Sequence, residues 1–159
     1  MAMAQEKPFI APDAKEQLSL LKILEGEWKV TVSSLSYSKN ANETVTGKMT
    51  ARFIYDDMFL ETRTNFPNSP FPAATAIIGL DDTNKRFTEI YADDRKVYRV
   101  YEMELSESSW TLLRHAPQFH QRFTATIEKN GKQIKAKWEK STDGKEWEYD
   151  FKLLYEKEK

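Results

Sequence analysis

The chain contains no cysteine. That excludes disulfides, thiolate metal sites and a cysteine nucleophile, and it suits a reducing, cytoplasmic setting. Glycine is also scarce, with five in 159 residues, and none is grouped into a phosphate-cradling loop. Histidine appears only at 115 and 120. No apolar run approaches the roughly 20 residues of a membrane-spanning helix, and the first residues have no signal-type apolar core. Neither sign of charge dominates: Lys plus Arg is 24, Asp plus Glu is 25, and the net charge is -1. Phosphate-backbone binding calls for a clear basic excess, so nucleic acid is not an expected partner, and neither is a membrane.

What the chain does have is aromatic residues, at 13%, placed at strand spacing. The segment from Phe119 to Tyr155 reads as strand, turn, strand, turn, strand. Asn130-Gly131 and Asp143-Gly144 supply the positive φ values that two-residue hairpin turns require. In the last strand Trp147, Tyr149, Phe151, Leu153 and Tyr155 share one face, and Glu146, Glu148, Asp150 and Lys152 share the other. Such alternation sets a dry face against a wet one.

Upstream, residues 1–11 read as a tail. Asp13 then forms a capping box with Glu16, and Leu18, Leu21 and Leu24 repeat at helical spacing up to Gly26. From Trp28 the period is 2. Val30 and Val32 continue that strand, Met49, Ala51, Phe53 and Tyr55 follow with Gly47 as a bend, and Phe59, Glu61 and Arg63 alternate next. The prolines of residues 66–72 force a loop. Strands at 74–80, 86–92, 96–105 and 110–116 complete the series, with Asp56-Asp57, Asp81-Asp82 and Asp93-Asp94 as turn formers rather than catalytic acids. Length and pattern give one domain over residues 12–159. The fold class is all-β: an antiparallel meander barrel of about ten strands, with one short N-terminal helix across an end.

The segments Val100–Met103, Trp110–Arg114, Gln121–Ala125, Lys137–Ser141, Asp143–Glu148 and Asp150–Phe151, with Leu154-Tyr155, resemble an uncharacterised bacterial domain family of calycin type. That family is distantly related to lipocalins, fatty-acid-binding proteins and nitrobindin. The resemblance is clearest over residues 90–156. It implies a calycin-like barrel with an internal cavity and no settled activity.

In such a barrel the apolar phase of each strand faces inward. Polar residues in that phase are the site candidates, because a buried charge must be paired or neutralised. They are Glu61, Arg63, Glu89, Tyr91, Arg99, Tyr101, Arg114 and Gln121. One reading has Arg99 and Arg114 clamp an anion, Tyr91 and Tyr101 orient it, and Trp28, Phe53, Trp110, Trp138 and Trp147 wall an apolar body. The other pairs Glu61 and Glu89 with Arg63, Arg99 and Arg114 in a closed salt network. A haem of nitrobindin type is not expected, because His115 and His120 fall in the outward phase. A zinc site lacks a third ligand. No cofactor, metal or catalytic residue is therefore assigned. The expected function is binding of a small apolar or anionic molecule, with a homodimer left open. The alternatives are a barrel enzyme of decarboxylase type, as the resemblance to phenolic acid decarboxylases implies for Glu, Arg and Tyr, and a structural module with a filled barrel.

Overall fold

The computed structural model describes residues 12–40, 42–81 and 83–159, with side chains from Ala14 onward. The expected tail at 1–11, the Asp13 cap and Asp82 lie outside the described residues and side chains. Helix α1 spans Pro12–Ser19 and runs into a 3-10 turn at Leu20–Ile23. Ten strands follow: β1 Gly26–Ser33, β2 Thr44–Ile54, β3 Phe59–Asn65, β4 Ala74–Leu80, β5 Phe87–Asp93, β6 Tyr98–Leu105, β7 Ser109–Arg114, β8 His120–Glu128, β9 Gln133–Ser141 and β10 Glu148–Lys157. Each pairs antiparallel with its neighbours in sequence, and β1 pairs with β10, so the meander closes. Closure removes the edges that an open sheet of ten strands would expose. Among the described residues no helix is long and apolar enough to cross a membrane.

The leucines expected on the helix face enter the core: Leu21 and Leu24 are fully buried, and Leu18 is nearly so. Trp28 donates its indole N–H to the Leu24 carbonyl at 2.9 Å. That bond ties the end of the helical segment to the start of β1. Lys22, Leu18 and Phe53 share one recess with the β2–β3 turn, and Ile23 lies beside Gly131 of the β8–β9 turn. The helix therefore closes the barrel end that carries these two turns. The opposite end carries the β3–β4 loop at 66–73.

Alternation holds through most strands, with Val30, Val32, Phe123, Ile134, Leu153 and Tyr155 all buried. Two departures correct the sequence reading. In β3 the buried residues are Leu60 and Thr62, so Glu61 and Arg63 lie on the outer surface rather than in the interior. Phe59, the residue that set the expected phase, is 37% exposed and packs edge-on against Tyr55, itself outside the core. In β10 a bulge between Tyr149 and Phe151 shifts the register. The residues before it lose the inward phase. Tyr149 turns outward and donates to the Ser34 carbonyl, and the Arg122 guanidinium lies over the Trp147 ring, 4.3 Å from its centre.

The two glycine turns have the expected positive φ but are longer than two residues. Lys129, Asn130 and Gly131 are all left-handed between β8 and β9. Between β9 and β10, Asp143 accepts the backbone N–H groups of Lys145 and Glu146. Gly47 is no bend: it sits inside β2, opposite Val30 of β1. It permits close approach, because a Cβ there would run into the Asn65 carbonyl and the Phe66 ring. Gly47→Ala is expected to cost about 1–3 kcal/mol of stability in urea denaturation through this overpacking; an unchanged midpoint would show that the Phe66 contact carries no weight.

Candidate functional site

The interior is not completely filled. A cavity of about 150 Å³ lies among the inward side chains of β1–β5 and β7–β10. Its origin is readable in β4, where two of the inward residues, Ala74 and Ala76, are small. On the adjoining strands Thr62 pairs with Ala76, which pairs with Tyr91. Much of the remaining wall is aromatic. Trp110 packs on Phe123 at 4.8 Å between ring centres, Phe123 on Trp138 at 5.2 Å, and Trp110 on Tyr155 at 6.1 Å. At the loop end Phe71 stands between Phe66 and Phe151, at 5.4 and 5.7 Å, and these three rings line the same space.

One charged side chain lines this cavity, Glu89 of β5. It is only 7% exposed. Among the described residues no hydrogen bond or ion pair meets its carboxylate, and burial alone pushes its pKa up to about 7. Water's loss is uncompensated here, so the neutral acid is favoured. Trp110 adds a second unmet group, an indole N–H buried with no acceptor. Thr62 and Thr64 contribute hydroxyls to the wall. Tyr91 lines it too, but its hydroxyl donates to Asp93 at 2.8 Å. Burial would raise Asp93, yet hydrogen bonds from Arg95 and Tyr91 outweigh it and hold its pKa down to about 2. Burial also raises the phenols of Tyr101 and Tyr155, and the nearby Glu89 carboxylate adds to both shifts.

The arginines lie elsewhere. Arg99 donates to Gln121 Oε1 at 3.0 Å, and Tyr101 donates to the same oxygen at 2.8 Å. Arg99 also lies over the Phe119 ring, and Arg114 donates to the Phe119 carbonyl at 3.2 Å. Arg99, Tyr101, Arg114 and Gln121 thus form one cluster that braces the β7–β8 turn, and none of the four is part of the cavity wall. Tyr101 connects the two regions, pairing with Glu89 in the sheet and packing on Trp138.

The expected closed salt network does not form. Glu61 accepts from Arg52 and Arg63 on the outer surface, and these contacts lower its pKa. Trp110 and Trp138 line the cavity. Trp28 is fully buried but packs against the helix, Phe53 belongs to the recess by the helix, and Trp147 is on the outer surface. His115 and His120 meet at 3.0 Å between their Nδ1 atoms, away from the cavity wall. No group of three or more His, Cys, Asp or Glu able to hold a metal occurs among the described residues. The sequence reading missed Ala74, Ala76, Thr62 and Thr64. Two alanines in the inward phase of one strand were the available signal for a hollow.

Glu89 has a stability consequence. Its folded pKa is raised, so between the ordinary value of 4.5 and about 7 the folded chain holds a proton that the unfolded chain releases. Stability therefore falls as pH rises through that window. Glu89→Gln lacks this titration. From pH 5 to pH 8 the variant should gain up to roughly 3 kcal/mol relative to the parent chain in urea denaturation. A pH-independent difference would mean that the carboxylate is solvated or paired.

Against known proteins, no curated protein matches this chain. Among solved structures it is similar to Rv2717c from M. tuberculosis, with 12% identity and a TM-score of 0.61, over 95% of this chain and 100% of that one. At that identity the likeness extends to the fold alone. A family model described as "Protein of unknown function (DUF1579)" matches residues 13–149, which is most of the described barrel. The chain belongs to the DUF1579 family.

Proposed function

We propose that this protein is a receptacle for a small, mainly apolar molecule held inside the barrel. The observation that carries this reading is the cavity itself, about 150 Å³ walled by aromatic and aliphatic side chains with a few polar groups among them. Small-molecule sites are built this way. An engineered apolar cavity of about this size binds benzene, and a single water needs only a small fraction of it. That volume favours a receptacle over a filled structural barrel. The anionic half of the sequence expectation has less support, because Arg99 and Arg114 are engaged with Gln121 and Phe119. Kinship with calycins is part of the same proposal and rests on the closed ten-strand meander.

A catalytic reading has one observation in its favour: Glu89 titrates near neutrality inside a cavity, as a general acid or base does. Loss of carbon dioxide from hydroxycinnamic acids would support it. Without an arginine in the wall to hold the substrate carboxylate, no turnover is the expected result.

Toluene titrated into the protein should shift the methyl NMR signals of Val30, Ala76, Leu112 and Leu153 together. Ala76→Phe should weaken that response at least about tenfold by filling the space, with the fold retained in circular dichroism. Shifts confined to surface methyls, or binding unaffected by Ala76→Phe, would refute the receptacle.

A further inference from the structure

The wall carries more than volume, and its chemistry narrows the occupant. We propose that the cavity binds a small organic amine in its ammonium form, with Glu89 as counter-ion and the surrounding rings as a cage. This rests on the receptacle reading and names its ligand class.

Three observations converge on a cation. First, Glu89 is the one charged side chain in the wall, and no lysine, arginine or histidine lines the cavity. A buried carboxylate wants a counter-charge, and among the described residues the protein supplies none. Second, eight of the lining residues are aromatic, including Tyr91, Trp110, Phe123, Trp138 and Tyr155. Aromatic faces attract cations, and more strongly where water is excluded. Third, Thr62 and Thr64 provide hydroxyl oxygens in the same space. An ammonium has N–H donors to spend beyond those used on one carboxylate, and hydroxyls accept them. An anion finds the reverse, an acidic group and ring faces of negative potential.

The groups that face Glu89 do not compete for this role. Among the described residues Tyr101 on β6 and Tyr155 on β10 are the titratable side chains it acts on; burial raises both phenols and Glu89 raises them further, so both stay neutral. Tyr91, its neighbour in the inward phase of β5, is raised likewise and bonded to Asp93. Arg99 and Arg114, across Tyr101, are held by Gln121 and the Phe119 carbonyl. Glu89 is thus the wall group that changes charge around neutral pH. Arrival of an ammonium supplies the partner that burial has denied it.

Four probes of nearly one shape separate the outcomes: toluene, benzyl alcohol, benzylamine and benzoate, titrated calorimetrically at about pH 8. Benzylamine should bind at least about tenfold tighter than benzyl alcohol, and benzoate weakest of all. Glu89→Gln should erase the amine's advantage while leaving toluene binding within about twofold, which also shows that the variant folds. If toluene and benzyl alcohol bind but benzylamine does not lead, the receptacle stands and the amine assignment fails. An amine preference that survives Glu89→Gln overturns the assignment as well. Failure of all four probes removes both readings together.

Discussion

The pairing of β1 with β10 is the constraint on which the rest depends. Six residue pairs, from Trp28 opposite Lys157 to Ser33 opposite Lys152, join the first strand to the last. Without that ladder the ten strands would be an open sheet with two unpaired edges. With it, every inward side chain faces one common space. The same ladder lets residues from β5 and β10, far apart in sequence, share a wall, as Glu89 and Tyr155 do. The helix then closes one end through Leu21, Leu24 and the Trp28 bond.

That common space has an uneven lining, and the unevenness follows from side-chain size. Trp110, Phe123 and Trp138 fill the β7–β9 side, where their rings pack on one another. On β4 the corresponding positions are alanines, so the space opens there. A carboxylate left in such a place loses most of its water and gains no partner. The same two strands, β5 and β6, show how differently a polar side chain fares when it is met. Asp93 receives Arg95 and Tyr91 and stays ionised, and Arg99 finds Gln121. Glu89, two residues from Tyr91, finds none of these. A carboxyl group whose pKa is shifted this far by burial inside a cleft is a candidate for a functional site.

Much of this is legible in the sequence. Strand number, meander order and the short helix followed from the alternation and the turn residues. Inward placement of Glu89, Tyr91, Arg99, Tyr101 and Gln121 followed from phase. The failures share a cause: phase is read from apolar residues, and adjacent ones are ambiguous. Phe59-Leu60 offered two registers, and the wrong one carried Glu61 and Arg63 inward. The bulge at Tyr149 breaks the expected continuous stripe of aromatics: Tyr149 turns outward, and Trp147 precedes the strand. What no pattern could supply is depth along the barrel. Arg99 and Glu89 are both inward, yet one lies in the cluster beside the β7–β8 turn and the other lines the cavity.

An unpaired carboxyl group in a hollow interior is the feature on which the cavity's chemistry depends. Its most direct measurement is the titration of the Glu89 side-chain carboxyl carbon, followed by carbon-detected NMR in the ligand-free protein. A midpoint near pH 7 is the predicted result. A midpoint near the ordinary 4.5 would mean that Glu89 is hydrated or already matched by a cationic neighbour, and the cavity chemistry described above would not exist.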